Sequence, residues 1–195
     1  MALAAATAVL TAACHSGQVL NTNEPRPETA TSSAVRPTPE LNRASLVSAF
    51  DYFGNSAGQE AYYFTTPSAR WGCAIVARRM AGCQLADSPE SALGVAGEPD
   101  TVTGANGDSK PANAILVDRD GAGRFARLNR SEFVLVPGPA KELPFGRTLV
   151  AGGFRCNVQE QAGVSCLNEY TGKGFTFSAE HWVPQYTEVP AAPPP

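Results

Sequence analysis

Four cysteines of this 195-residue sequence form two matched sets. Nine residues separate Cys73 from Cys83, and nine separate Cys156 from Cys166. The flanks match as well: Trp71-Gly72-Cys73-Ala74-Ile75 aligns with Phe154-Arg155-Cys156-Asn157-Val158. Aromatic, cysteine and aliphatic residues alternate with period two, so all three point to one face of a strand. Four thiols admit three pairings, and the matched spacing selects Cys73–Cys83 and Cys156–Cys166. Folding each segment into a hairpin sets its two cysteines opposite each other, at a separation a disulfide spans. Val158 then faces Val164 across Glu160-Gln161-Ala162-Gly163, and Ile75 faces Ala81 across Ala77-Arg78-Arg79. A glycine free to turn left-handed is a common closure for such a loop. Rings this small contribute roughly 3 kcal/mol each on the chain-entropy account. The competing chemistry for four cysteines is a zinc site, which the lack of any C-x-x-C spacing disfavours, and no metal or other cofactor is expected.

Other groups carry weaker signals. Asp118 and Asp120 flank a glycine turn, a spacing that suits a calcium site or the carboxylate pair of a glycosidase. The later acidic positions of a calcium loop are missing, and an Asp in a tight turn bonds its own backbone. His181, beside Trp182, is the one histidine in the body of the chain. A general base needs a nucleophile and an orienting acid near it, and no Gly-x-Ser-x-Gly elbow is present. Arg124, Arg127 and Arg130 recur every three residues, with Arg119 nearby. On a strand that spacing divides them between faces. A solvated sheet face explains them, with an anionic partner (phospholipid headgroup or envelope polysaccharide) as the functional alternative. Gly172-Lys173-Gly174 is too short for a phosphate loop and reads as a turn. Tyr62, Tyr63 and Phe64 break strict alternation, so at least one must face away from the core. An exposed Tyr near Thr66-Pro67 is a feature that binding surfaces use.

Cys14 differs from the other four. It follows Met-Ala-Leu-Ala-Ala-Ala-Thr-Ala-Val-Leu-Thr-Ala-Ala, a charge-free apolar run too short to span a bilayer as an ordinary helix. Small residues directly before a cysteine resemble a bacterial lipobox. There the exported chain is diacylated on the cysteine, which cleavage makes the new N-terminus. Ala12 and Ala13 fit that pattern, Thr11 stands where Leu is usual, and no basic segment precedes the run. Residues 15 to about 44 are rich in Ser, Thr, Asn and Pro, and every aromatic lies between Phe50 and Tyr186. Such a stretch buries too little apolar surface to offset its ordering entropy. The expected organisation is a signal peptide over 1–13, a lipid-anchored disordered tether over 14–44, a β domain over 45–187 and a Pro-rich tail over 188–195. The expected location is the extracytoplasmic face of the cell membrane, or secretion. An even set of cysteines suits that oxidising compartment.

The elements that must position these groups read as short strands. Runs of strand composition occur at 62–66, 71–76, 82–86, 114–118, 124–128, 133–136, 148–150, 154–159, 164–168 and 174–178. Gly 18 plus Pro 16 supply the turns between them. Regular spacing predicts an all-β domain, a small sandwich or barrel of antiparallel strands with hairpin disulfides. Residues 98–111 are Gly- and Asp-rich and read as a loop. One short N-terminal helix is expected near Leu41–Phe53, because Leu46, Phe50 and Phe53 fall on one helical stripe that would dock on the sheet. Net charge is −3, so no basic surface points to nucleic acid.

Phe64-Thr65-Thr66-Pro67-Ser68 precedes the first cysteine hairpin, Leu143-Pro144-Phe145-Gly146 precedes the second, and Thr171-Gly172-Lys173-Gly174-Phe175-Thr176-Phe177-Ser178 follows it. The set resembles a family of actinobacterial secreted and lipid-anchored domains of unknown function, over about residues 62–186. Ala69-Arg70 stand where that family frequently has Gly-Asn. The resemblance implies an all-β envelope module and no activity. The expected function is an exported, lipid-anchored, non-catalytic module that binds an envelope ligand or protein. Two alternatives are an extracytoplasmic hydrolase using Asp118 and Asp120, and an accessory subunit of a membrane complex.

Overall fold

The computed structural model describes residues 41–191. The expected signal peptide, Cys14 and most of the expected tether lie outside the described residues. Among the described residues the chain forms thirteen strands. In chain order they are β1 (Phe53–Ser56), β2 (Gln59–Thr65), β3 (Trp71–Val76), β4 (Met80–Leu85), β5 (Val102–Thr103), β6 (Ser109–Lys110), β7 (Ala114–Asp118), β8 (Arg124–Ala126), β9 (Arg147–Ala151), β10 (Phe154–Gln159), β11 (Gly163–Asn168), β12 (Gly174–Phe177) and β13 (Trp182–Val183).

Two antiparallel sheets share one core, which makes the fold a β-sandwich. The first has order β1-β2-β3-β4-β7-β8 and the second β13-β12-β11-β10-β9. Each is built around a disulfide hairpin, and each lays a four-residue row across its inner face, two cysteines flanked by one phenylalanine and one aliphatic residue. In the first sheet the row is Phe64, Cys73, Cys83 and Ile115, paired in register. In the second it is Leu149, Cys156, Cys166 and Phe175. All eight are buried in one cluster. The bonds Cys73–Cys83 and Cys156–Cys166 form as the spacing predicted.

The outer faces are covered too. Over the first sheet the segment 126–140 lays Leu128, Phe133, Leu135 and Ala140 on Tyr63, Ala74 and Leu116. Over the second, the C-terminal residues Gln185–Glu188 run across a polar face and bond to it. The two ends of the described chain meet. Asn42 Nδ2 donates to Pro190 O at 3.0 Å.

Three expectations are corrected. No α-helix forms at 41–53. Two short 3₁₀ turns, Arg43–Ser45 and Ala49–Tyr52, take its place. Leu46 instead pairs as a bridge with Thr148, and Val47 N–H donates to Thr148 O at 3.0 Å. That pairing with β9 pulls the backbone at Leu46 into an extended conformation, ψ 140°, and ends the first turn. Tyr52, not the Phe50 stripe, becomes the docking side chain. Second, 133–136 is not a strand. Side chains satisfy its backbone: Gln84 Oε1 accepts from Glu132 and Phe133 N–H, and Ser56 Oγ accepts from Val136 N–H. Third, 98–111 holds the small hairpin β5–β6.

Candidate functional site

Four turns meet at one end of the sandwich. They join β3 to β4, β7 to β8, β9 to β10, and β11 to β12. Their backbones are fastened to one another. Arg78 N–H donates to Gly152 O at 2.8 Å and Glu169 N–H to Gly153 O at 3.0 Å. A Cβ on Gly152 would lie 2.5 Å from Ala77 Cα, and one on Gly153 would collide with the Tyr170 ring. Glycine is therefore required at both positions by close approach as well as by positive φ.

Asn168 is the central clamp. It is buried at the end of β11. Its Nδ2 donates to Asp118 O at 3.0 Å and to Arg119 O at 2.9 Å. Its Oδ1 accepts from Tyr170 N–H at 2.9 Å and Thr171 N–H at 3.3 Å. One side chain thus fixes the β7–β8 turn against the β11–β12 turn.

Between the fastened turns lies a cleft of about 440 Å³. Phe154 forms part of its lining from within the core, and Tyr170, 80% exposed, stands on its rim. Arg78 and Arg119 bring two guanidinium groups to it. Among the described residues, neither side chain has a hydrogen bond or ion pair. Arg78 holds φ +60°, a left-handed conformation that costs a non-glycine residue on the order of 1 kcal/mol. Strained backbone of this kind gathers where function requires a particular side chain. Asp120 also lines the cleft, and its carbonyl accepts from Lys173 Nζ at 3.3 Å.

The two aspartates have separate roles. Asp118 Oδ1 accepts from Gly121 N–H at 2.6 Å and Asp120 N–H at 3.2 Å, and Oδ2 takes Arg124 Nη2 at 2.6 Å. Burial pushes its carboxyl up, but Arg124 and the two turn N–H groups outweigh burial and hold it below the ordinary value. Asp118 closes its own turn, while Asp120 belongs to the cleft.

The arginines singled out by spacing part company. Arg124 pairs with Asp118, Arg127 Nη1 donates to Glu90 O at 2.8 Å, and Arg130 Nε bonds Glu132 Oε1 at 2.8 Å. Only Arg119 faces the cleft. Tyr62 is half-buried and Phe64 enters the inner core. Tyr63 does face away from that core, as the broken alternation required, but it is buried beneath Phe133 rather than exposed. His181 Nδ1 lies 2.7 Å from Ser178 Oγ, which also accepts from Glu180 N–H. Ser178 N–H donates to His181 O at 2.9 Å, so these contacts close the turn from β12 to β13.

At the opposite end Thr66, Pro67, Ser68, Phe145 and Ser178 line a second cavity of about 290 Å³. Its hydroxyls are engaged within turns: Thr66 Oγ1 meets Ser68 Oγ at 3.1 Å and accepts from Trp71 N–H at 3.3 Å. The Arg70 guanidinium there lies 5.0 Å over the Trp71 ring. Sequence reasoning missed Arg78, Asn168 and Tyr170 as site residues. Paired arginines at a hairpin tip and a Gly-Gly at 152–153 were the available signals. No family description, curated protein or solved structure matches this chain.

Proposed function

We propose that this protein is an exported, lipid-anchored envelope protein whose domain is a non-catalytic binding module, with an anionic saccharide as the ligand of the turn cleft. The observation that carries this reading is the pair Arg78 and Arg119, without partners among the described residues, beside exposed Tyr170 in a cleft whose backbone is already fixed. Guanidinium forks match carboxylate or phosphate oxygens in paired hydrogen bonds. The exposed Tyr170 ring offers apolar area to a sugar ring, and Asp120 can accept from its hydroxyls. Fixed turns lower the ordering cost of binding. Export and anchoring are supported by Ala12-Ala13-Cys14 and by the paired cysteines. Absence of catalysis is supported by Asp118, whose carboxylate is committed to Arg124 and its own turn.

Calorimetric titration of the full chain with acidic and neutral oligosaccharides of the envelope tests the reading. Acidic ones should bind and neutral ones should not. Arg78→Gly should weaken binding by at least about tenfold, the loss of one charge-assisted contact. The same change removes a left-handed Arg, so stability should hold or rise by up to about 1 kcal/mol. Equal binding by Arg78→Gly and Tyr170→Ala would remove the cleft from the account. Hydrolysis of the saccharide, lost in Asp120→Asn with stability unchanged, would replace a binder by a hydrolase. Membrane retention of the Cys14→Ser chain with unaltered mass would remove the lipid anchor.

A further inference from the structure

Phe50 is 86% exposed and Phe53 51% exposed. They stand three residues apart across the Ala49–Tyr52 turn, where Phe53 N–H donates to Phe50 O. In a 3₁₀ turn residues i and i+3 eclipse, so both rings project to one side. Phe53 meets the half-buried Tyr62 edge-on, with centroids 5.6 Å apart. Phe53 and Tyr62 thus form an apolar pair at the start of β1, the edge strand of the first sheet, with exposed Phe50 one turn before them.

Phe53 pairs with Tyr62, which pairs with Ile75 near the cleft end of β3, and from there the turn carrying Phe50 leads along the β1 edge toward the other end of the sandwich. Asp51 Oδ2 bonds Lys141 Nζ at 2.8 Å, and Tyr52 Oη donates to Glu142 O at 3.1 Å. Lys141 O and Leu143 N–H in turn bond Thr65, the last residue of β2. Thr65 pairs with Gly72 at the start of β3, whereas the cleft residue Arg78 follows the end of β3. The chain also enters at this far end. Arg147, the first residue of β9, donates through Nη1 to Ala44 O at 3.3 Å. Arg147 pairs with Val158, near the end of β10 that lies away from Phe154.

We infer that Phe50 and Phe53 seat in the outer surface of the membrane that carries Cys14, so that the domain lies with its β1 edge against the bilayer and leaves the cleft open at its side. This rests on the lipid-anchor reading above. Between Cys14 and Leu41 lie 26 residues. A chain of that length reaches at most about 90 Å. The anchor therefore keeps the domain within reach of the bilayer, and the aromatics select which edge touches. Aromatic rings favour the headgroup boundary, and Asp51 is neutralised there by Lys141. Arg43 and Arg147, both exposed beside the incoming chain, suit anionic headgroups.

The test places a tryptophan at position 50 or at position 170 of the full chain, bound to vesicles of phosphatidylcholine and phosphatidylglycerol with brominated tails. The Phe50→Trp chain should lose about half of the emission it adds over the parent, as for a ring about 5–10 Å below the surface. The Tyr170→Trp chain should lose none. Quenching at 170 equal to that at 50, or at neither while the chain is vesicle-bound, would overturn the inference. So would a shift of position-50 emission with protein concentration in the absence of vesicles, which would assign the patch to a second copy. The mass of the membrane-extracted chain reports the lipid separately. An unlipidated chain would sink the anchor reading, and excess vesicles would still read out docking at position 50.

Discussion

The two sheets present inner rows of the same kind and outer rows of opposite kinds. One position beyond the inner row, the first sheet carries Tyr63, Ala74, Gly82 and Leu116. The second carries Thr148, Asn157, Ser165 and Thr176 at the matching places. All eight are buried. Over the first row lies Phe133, whose ring would sit 2.6 Å from a Cβ on Gly82. Over the second lies a lattice of hydrogen bonds. Ser45 Oγ meets Thr148 Oγ1 at 2.9 Å, and Ser165 Oγ meets Thr176 Oγ1 at 2.9 Å. Thr176 Oγ1 donates to Gln185 O at 2.7 Å, and Asn157 Nδ2 donates to Tyr186 Oη and Thr187 O, both at 2.9 Å. Buried Arg155 lies 3.4 Å from Glu188 and 5.1 Å from the centre of the Tyr186 ring. A disulfide hairpin therefore dictates only the face its sulfurs occupy. The opposite face is free to choose its cover, by apolar area in one sheet and by polar pairing in the other. An apolar cover tolerates sliding, whereas a polar one fixes the register of the segment it holds.

The difference can be broken at three places. The largest effect belongs to the apolar cover: Phe133→Ala should cost about 3–5 kcal/mol in urea unfolding, since it opens a cavity above a glycine that cannot fill it. A cost below about 1 kcal/mol would mean that 126–140 contributes little to the core. Next come the shared inner rows. Cys73→Ala with Cys83→Ala, and Cys156→Ala with Cys166→Ala, should each cost about 3 kcal/mol, because the closed rings are of one size. Unequal midpoint shifts would show that the outer covers feed back on the hairpins. The smallest effect is in the polar cover and depends on pH. Burial, reinforced by the Glu188 charge, holds the Tyr186 hydroxyl above the ordinary tyrosine value. The unfolded chain then gives up that proton first. Stability owed to the Tyr186 segment is complete below about pH 10 and falls as pH rises past it. Tyr186→Phe should flatten the alkaline limb of the stability curve, and an unchanged limb would place the sensitivity elsewhere.

Much of the framework was legible in the sequence. The bounds of β3, β7 and β10 and both disulfide pairings followed from period-two alternation and equal spacing, which are local properties. The expected helix failed for a non-local reason, since Leu46 finds a strand partner a hundred residues away at Thr148. Phe133 reads as a strand residue by composition but covers a sheet instead of joining one. The cleft was hidden most completely. Residues 78, 119, 153 and 170 become neighbours only through the order in which β4 meets β7 and the two sheets stack. Arg78 and Tyr170 carry no periodic signal, and the clamp Asn168 looks like any other strand-end asparagine.

The bonds from Asn42 to Val189 O and Pro190 O bring the two ends of the described residues side by side. A domain whose ends adjoin behaves as a closed loop of chain, indifferent to where the loop is cut. Residues 41 and 191 could be joined by a short linker and new termini opened in the exposed Glu160–Gln161 turn, leaving every strand pairing in place. The same adjacency makes the unit a cassette that could be spliced into a surface loop of another protein without prying that loop apart.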